Sequence, residues 1–372
     1  MNEKHFFSPG LPVFVIGTRA QLIKVAPVIV ACERKQVPVR LLMTGQHQET
    51  MQDLIEEFGI VSPQVIAMPF SERATVGSLL RWLPSAYLGV SARLRELKSS
   101  SARLDVIVHG DTISTVIGAI AGRRCGARVI HLESGLSSGR LFDPFPEEIS
   151  RRLVFRWADV ALCPNRAAAE YMRTHHHHCQ VIDTGGNTIL DAVVLAGAST
   201  DNRNLSQPYL VASLHRFQNI YDSARLMELV TLLETIATRY PIHFVLHPAT
   251  RKRLAGQGLM DRLAASHGLR LLPRLGYRDF LRLAAGAACV LTDGGSNQEE
   301  LAALGVPTVI MRQRTERPDG LGVNALMEAD VPGGVLAYLL EGRFESLRAP
   351  SSVPDDLGPS NRVADLLAGI AV

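Results

Sequence analysis

A chain of 372 residues that is 47% apolar and 20% charged is neither intrinsically disordered, nor collagen-like, nor a coiled coil. Its length matches about two domains of roughly 150 residues each. The 39 basic and 36 acidic side chains nearly balance, and no aromatic residues interleave the longest basic run, Arg251–Arg253, so we expect no nucleic-acid partner.

The first half of the chain alternates short β-branched runs with longer amphipathic stretches, as in parallel sheets built from βαβ units. The apolar runs are mostly continuous, which indicates strands that helices cover on both faces. We predict strands at Val13–Ile16, Val39–Leu42, Val106–Val108, Val129–Leu132 and Val160–Leu162, and helices at Leu22–Arg34, Ser114–Arg124 and Glu147–Trp157.

The second half begins after a polar segment at 196–207 that has the composition of a domain linker, and a Pro-rich segment at 349–359 makes a second break. We predict strands at Tyr209–Ser213, His243–Leu246, Leu269–Leu272, Val290–Leu291 and Thr308–Met311, and helices at Ala224–Tyr240, Asp279–Ala288, Gln298–Leu304 and Asn361–Ile370. The pattern predicts an α/β protein with two doubly wound domains, at 1–198 and 199–356, that face each other across a ligand cleft, and a last helix at 357–372.

The cysteine pattern and the hydropathy of the chain indicate its cellular location. The five cysteines form no CxxC pair, which favours reduced, mostly buried thiols in a cytoplasmic protein. We see no signal sequence and no apolar stretch near the roughly 20 residues of a membrane span, so we expect no membrane partner. The histidines at 175–178 lack well-spaced partner ligands, so we interpret them as an exposed polar turn and expect no metal.

Acidic residues follow two predicted strands of the first domain and begin a helix. Asp111 is either the N-cap of the next helix or a site acid, and its position favours the cap. Glu133 is harder to explain as a cap, because prolines delay the following helix. Glu147 and Glu148 suit the first turn of a helix, or one of them projects into the cleft. Three acids at strand ends could support proton transfer.

Candidate anion-binding segments occur in both domains. The segment Gly17–Lys24 places Arg19 and Lys24 where a strand passes into a helix, which suits an anion or a plain turn with solvated bases. In the second domain, His215 and Arg216 follow one strand. In the segment Thr292–Glu300, two glycines and a serine precede a helix. Their backbone N–H groups could bind phosphate, with Glu299 or Glu300 binding a ribose. Alternatively, the segment is a structural turn.

Nine ordered motifs then give the chain a family resemblance over nearly its whole length. They are GTRPE-x-IK at Gly17–Lys24, TGQH at Thr44–His47, HGDT at His109–Thr112, HxEAGLR-T at His131–Ser138, PFPEExNR at Pro144–Arg151, TGNT at Gly185–Thr188, HRxEN at His215–Asn219, DSGGxQEE at Asp293–Glu300 and TERPE at Thr315–Asp319. The chain resembles the non-hydrolysing UDP-N-acetylglucosamine 2-epimerases. The resemblance implies two Rossmann-like domains of the glycosyltransferase-B type, a last helix that returns to the first domain, and a homodimer.

The resemblance also implies a reaction and its residues. The C2 proton is removed and UDP is expelled, giving a bound 2-acetamidoglucal, and UDP then adds back with protonation from the other face. The implied catalytic residues are Asp111, Glu133, Glu147 and His215. The implied substrate-binding residues are Arg19, Lys24, Gly295, Ser296 and Arg317 for the diphosphate, Phe280 for uracil and Glu300 for ribose. The implied partner is a UDP-sugar for bacterial surface polysaccharide synthesis, and no cofactor is implied.

Three departures from the motifs leave the sugar open. Where the family motif has Pro-Glu after GTR, this chain has Ala20-Gln21. Where the family has Ser-Gly-Gly, the chain has Gly-Gly-Ser at Gly294–Ser296, and the glutamate of HRxEN is replaced by Gln218. The substrate is therefore expected to be UDP-N-acetylglucosamine or a modified acetamido sugar. Three alternatives remain: a hydrolysing 2-epimerase that releases free N-acetylmannosamine, a glycosyltransferase of the same fold, and a non-catalytic nucleotide-sugar sensor.

Overall fold

The computed structural model describes residues 8–45, 51–68, 76–137, 147–200, 206–315 and 318–370. The chain divides into two compact units, Met1–Leu195 with Pro354–Val372 and Ala196–Val353. Each unit is built on its own parallel sheet, one of seven strands and one of six. The fold is therefore the α/β architecture with two doubly wound, Rossmann-like domains that the sequence predicts.

The first unit alternates strands and helices. Its elements are β1 (Leu11–Ile16), α1 (Arg19–Arg34), β2 (Arg40–Met43), α2 (Gln52–Phe58), β3 (Gln64–Ile66), α3 (Val76–Ser99), β4 (Leu104–His109), α4 (Ile113–Arg124), β5 (Arg128–Leu132), α5 (Glu147–Trp157), β6 (Val160–Cys163), α6 (Arg166–His175), β7 (Gln180–Asp183) and α7 (Thr188–Ala196). The strand order β3-β2-β1-β4-β5-β6-β7 reverses between β1 and β4. Doubly wound proteins bind ligands at such a reversal.

The second unit repeats this plan with six strands. Its elements are β8 (Leu210–Ser213), α8 (Phe217–Ile220), α9 (Ser223–Ala237), β9 (Ile242–Val245), α10 (Pro248–Gly256), α11 (Leu259–Ala265), β10 (Leu269–Leu272), α12 (Tyr277–Ala285), β11 (Cys289–Thr292), α13 (Gly295–Leu304), β12 (Thr308–Ile310), β13 (Ala325–Met327) and α14 (Val335–Leu340), with short 3-10 helices at Glu328–Asp330 and Arg343–Leu347. The order β10-β9-β8-β11-β12-β13 reverses between β8 and β11.

The last helix, α15 (Gly358–Leu367), packs on α1 and so belongs to the first unit. The Lys35 ammonium lies 2.6 Å from the Asp365 carboxylate, which joins the end of α1 to α15. The backbone N–H of Ser360 donates a 2.7 Å hydrogen bond to the buried carboxylate of Asp191 on α7. The return of the chain to the first unit is thus anchored at two points of the helix.

Three strands that we did not predict are β3, β7 and β13, and each lies at the edge of its sheet. β3 and β7 each have only two apolar residues next to polar ones, and β13 has no β-branched residue. The prediction of reduced thiols is supported, since all five cysteines are free and four are buried. His177 and His178 are exposed in a turn, as predicted, whereas His175 is the last residue of α6 and His176 is half-buried against Phe155. No helix in the described part of the chain has the length and apolarity to cross a membrane.

Candidate active site

The turns after β4 and β5 lie side by side at the carboxyl edge of the first sheet. His109 pairs with Leu132 at the ends of these parallel strands, so Asp111 and Glu133 both follow at this edge. Glu133 has a left-handed backbone, with φ of +59°. This conformation strains any residue with a Cβ, and such strain is concentrated at functional sites.

Glu133 is held among polar side chains from three elements. The Lys24 ammonium on α1 forms an ion pair with its Oε2, and the amide of Asn187 donates a 3.0 Å hydrogen bond to the same atom. Nε2 of His109 lies 3.5 Å away. The side chains of Lys24 and Glu133 are only 3% and 9% exposed. Each charge therefore compensates the other in a poorly solvated place.

Asp111 and Glu148, one of the two acids that begin α5, share a network of arginines. Arg151 pairs with Asp111 and also lies 3.0 Å from Glu148, and Arg152 lies 2.9 Å from Glu148. Glu148 is fully buried and is therefore the structural centre of this network. Glu147 is half-buried, and no described residue hydrogen-bonds to its buried Oε2. Of the pair that begins α5, Glu147 is thus the better candidate for proton transfer.

The expectation that Asp111 caps the next helix is wrong. The N-cap of α4 is Thr112, whose side chain accepts from the N–H of Thr115, and the Thr115 hydroxyl accepts from the Thr112 N–H in return. Asp111 lies one residue outside the helix, so its carboxylate is available to Arg151. The position that sequence reasoning gave to a cap belongs to the candidate site.

Gln21, which replaces the glutamate of the family motif, uses both its side-chain oxygen and its side-chain nitrogen in hydrogen bonds. Its Oε1 accepts from the N–H groups of Gly17 and Thr18, and its Nε2 donates to the His109 carbonyl and to the Thr115 hydroxyl at 2.8 and 2.9 Å. Thr115 in turn donates to that carbonyl. A carboxylate could not donate to these oxygens, so an amide suits this buried position better.

In the second unit, Asp293 organises the turn after β8. Its fully buried carboxylate accepts from the backbone N–H groups of His215 and Arg216 at 3.0 and 2.9 Å and from the amide of Asn219 at 2.8 Å. Its Oδ1 also lies 3.2 Å from Nδ1 of His215. Because β8 and β11 are neighbours, Asp293 reaches this turn directly from the end of β11.

Burial lowers the pKa of His215 below its usual value of 6.5. The Asp293 carboxylate opposes this effect, while Arg216 and Arg312 add to it. The imidazole is accordingly biased towards its neutral form, which has one donor and one acceptor nitrogen. Its ring centroid lies 5.3 Å from that of His247, which caps α10.

The N-terminus of α13 lies beside His215. The helix begins at Gly295, and its N-cap residue is Gly294, which has no side chain to cap it. A Cβ on Gly294 would lie 3.3 Å from Cε1 of His215, so the ring approaches the helix start closely. The N–H groups of Gly295 and Ser296 in the first turn suit an anion.

The remaining expected residues lie in different surroundings. Arg19 forms a 2.6 Å ion pair with Asp53, and Lys24 contacts Glu133 instead of facing solvent. Glu300 is 1% exposed on α13, and Phe280 is half-buried on α12. Arg317 lies outside the described residues.

Sequence reasoning missed several residues that hold the site together. Asn187, Arg151, Asp293 and Asn219 all lie within the family motifs but were given no role of their own. Arg151 lies 40 positions from its partner Asp111, Asn187 lies 54 from Glu133, and Asn219 lies 74 from Asp293. Their place in the motifs was the only available signal.

The chain is similar in sequence and in structure to known proteins. A family model described as UDP-N-acetylglucosamine 2-epimerase matches residues 30–332. The UDP-N-acetylglucosamine 2-epimerase of Methanococcus maripaludis is 31% identical over 326 residues, which cover 84% of this chain and 85% of that protein. The UDP-2,3-diacetamido-2,3-dideoxy-D-glucuronate 2-epimerase of Pseudomonas aeruginosa is 29% identical, with 81% and 83% covered. The crystal structure of the Methanocaldococcus jannaschii UDP-GlcNAc 2-epimerase in complex with UDP-GlcNAc and UDP aligns with a TM-score of 0.74 at 26% identity, covering 96% of this chain and 99% of that one.

Proposed function

We propose that this chain, which belongs to the UDP-N-acetylglucosamine 2-epimerase family, inverts C2 of UDP-N-acetylglucosamine by elimination and re-addition of UDP. The observation that carries the proposal is Glu133, a carboxylate that is only 9% exposed, on a strained backbone at a strand end. It caps no described helix, since α5 begins fourteen positions later, at Glu147. A strained, ion-paired acid at a ligand-binding edge is typical of an acid–base group.

The carboxylates of the first unit would move the C2 proton. A base takes this proton while the bond between C1 and the UDP oxygen breaks, which yields 2-acetamidoglucal and UDP. The reverse addition returns UDP to C1 and a proton to the other face of C2. Because the proton leaves one face and returns to the other, more than one acid–base group is needed. We assign Glu133, Asp111 and Glu147 to these transfers.

The second unit would bind the nucleotide. The first turn of α13, with Gly295 and Ser296, provides N–H donors for the diphosphate, and His215 beside it stabilises the departing phosphate. Phe280 and Glu300 are assigned to uracil and ribose, and Arg19 and Arg317 to the diphosphate. We assign Lys24 to Glu133 instead, because it is buried against that carboxylate.

The test is solvent exchange at C2. The protein is incubated with UDP-N-acetylglucosamine in deuterated water, and the products are followed by NMR and mass spectrometry. We expect deuterium at C2 of both epimers, with both sugars still attached to UDP. Protium retained at C2 during turnover, transfer of the sugar to an acceptor, or tight binding without turnover would contradict the proposal, and free N-acetylmannosamine would indicate hydrolysis.

The choice of sugar is tested in the same assay. UDP-2,3-diacetamido-2,3-dideoxy-D-glucuronate is supplied in parallel, because a relative of similar identity bears that name. We expect the larger kcat/KM for UDP-N-acetylglucosamine. A reversed preference would reassign the substrate while keeping the reaction.

We also propose that the protein acts in the cytoplasm as a homodimer. Five free cysteines suit a reducing compartment, and the family resemblance implies the dimer. Light scattering of the purified protein tests the dimer, and fractionation of the native cells tests the location. A monomer at assay concentration would contradict the homodimer.

A further inference from the structure

The imidazole of His131 lies between the two turns that carry Asp111 and Glu133. His131 is on β5 and is fully buried. Its Nε2 lies 2.8 Å from the carbonyl oxygen of Gly110, which precedes Asp111. Its Nδ1 lies 3.1 Å from the hydroxyl of Ser134, which follows Glu133. One ring therefore contacts the backbone of the first turn and a side chain of the second.

The hydrogen bonds define the tautomer of this ring. A carbonyl oxygen only accepts, so Nε2 carries the proton and donates it to Gly110, and Nδ1 accepts from the Ser134 hydroxyl. Burial lowers the pKa of His131 to about 3, so the ring stays neutral in this arrangement. Phe155 packs against the ring, with centroids 5.6 Å apart.

Each of the two turns has one residue with a left-handed backbone, so a hydrogen bond that holds the turns together would stabilise them. Gly110 has φ of +65° and Glu133 has φ of +59°. Glycine adopts this conformation freely, whereas glutamate does not. The backbone at Glu133 therefore persists only because its surroundings hold it. The hydrogen bond from Ser134 to His131 is one such restraint, together with the Ser134 N–H bond to Leu162 on β6.

We propose that His131 is a positioning residue that fixes the Asp111 turn against the Glu133 turn, and this inference rests on the proposed epimerase function. His131 does not touch substrate, because it is fully buried and both ring nitrogens have partners within the protein. It acts through the placement of two carboxylates that would serve one carbon atom. Displacement of a catalytic group by about 1 Å lowers a rate by about 100-fold.

The experiment compares His131→Leu, His131→Gln and Ser134→Ala. Leu removes both hydrogen bonds, whereas the Gln amide offers a donor and an acceptor at similar reach. We expect His131→Leu to lower kcat about 100-fold, with KM and the Kd for UDP within about threefold, because the groups assigned to the nucleotide lie on the second unit, except for Arg19, which is on α1 and outside both turns. His131→Gln recovers at least tenfold of this loss. Ser134→Ala costs less, and its effect is not additive with that of His131→Leu.

Val129→Ala is the matched control. Val129 is fully buried two residues earlier on the same face of β5, so its truncation destabilises the strand without touching either turn. We expect this variant to keep kcat at a comparable loss of melting temperature. Equal kcat losses in Val129→Ala and His131→Leu, or full activity in both His131→Leu and Ser134→Ala, would overturn the inference.

Two further measurements do not depend on turnover. Nitrogen-15 NMR of the imidazoles reports the Nε2–H tautomer of His131, and a protonated Nδ1 would overturn the inference. Hydrogen exchange at 108–112 and 132–136 should accelerate in His131→Leu and not in Val129→Ala. A wild-type protein that exchanges no C2 proton would overturn the proposed function, while these two measurements still decide whether His131 joins the turns.

Discussion

Both units place polar side chains where their strand order reverses, but they hold them by different means. In the first unit, Glu133 and Asp111 meet the side-chain cations of Lys24 and Arg151. In the second, Asp293 is enclosed by two backbone N–H groups and the Asn219 amide. Side-chain cations can move when a carboxylate gains or loses a proton, whereas backbone N–H donors keep fixed positions, here called a fixed frame. The first arrangement suits proton transfer, and the second suits binding.

The sharpest test of this comparison is Glu133→Gln. The amide keeps the shape of the side chain and cannot take a proton, so we expect kcat to fall by about 1,000-fold. UDP binding should stay within about threefold, because the groups assigned to UDP lie on the second unit, except for Arg19, which pairs with Asp53 and not with Glu133. Turnover is followed by NMR and UDP binding by calorimetry. The control is Glu170→Gln, an exposed acid on α6. Equal losses of turnover and UDP binding would give Glu133 a structural role.

Lys24→Met separates two roles of one lysine. If Lys24 holds Glu133, kcat should fall by about 100-fold with UDP binding retained. If it contacts the diphosphate, UDP binding should weaken as well. The matched control is Lys35→Met, which removes a lysine from the other end of the same helix. Calorimetry with UDP, compared with kcat, decides between the two roles.

Asp293→Asn removes the fixed frame of the second unit. The amide replaces one acceptor oxygen by a donor that would face N–H groups, so the His215 turn loses part of its support. We expect the Kd for UDP to rise about tenfold and the free energy of unfolding to fall by about 3 kcal/mol. Urea unfolding and calorimetry measure both. Asp261→Asn, at an exposed position on α11, is the control, and unchanged UDP affinity in Asp293→Asn would break the comparison.

The smallest expected effect is on stability, at Asp191. This buried carboxylate contrasts with Asp293, which accepts from several donors. Asp191 accepts one N–H, from Ser360, and burial raises its pKa from 3.8 to about 6. The folded state therefore binds a proton that the unfolded state releases, so stability falls as pH rises from about 4 to 6 and levels off above that.

Asp191→Asn should flatten this pH dependence. The amide stays neutral and can still accept from Ser360, so the variant should gain about 2–3 kcal/mol over the wild type at pH 7 and little at pH 4. Urea unfolding at four pH values between 4 and 7 measures the difference. Asp365→Asn on α15 is the control. A constant difference at every pH would assign the effect to packing.

The central strands were the most predictable part of the fold. β5, β6 and β11 match their predicted ranges to within one residue at each end, because buried strands have nearly continuous apolar runs. The edge strands β3 and β13 were not predicted, because β3 is mostly exposed and β13 has no β-branched residue. Hydrogen bonds to a neighbouring strand define them, and these are not visible in the local sequence.

The site was predictable as residue types at strand ends, but not as pairs. Asp111 and Glu133 were singled out by position, and the structure places the turns that carry them at neighbouring strand ends. The choice of a cap for Asp111 failed because Thr112, one residue later, is the N-cap. The pairing of Lys24 with Glu133 spans 109 positions and depends on how α1 packs beside the sheet. Such partners follow from tertiary packing, which local sequence does not specify.

The return of α15 to α1 has a consequence for synthesis. Residues 196–353 form a unit whose parts are contiguous in the chain, so it can fold as soon as it leaves the ribosome. The first unit has all its strands earlier, but α15 arrives only after the whole of the other unit has been made. The unit translated first is therefore completed last, and until then the apolar surface of α1 that α15 covers is open to chaperones or to a neighbouring nascent chain.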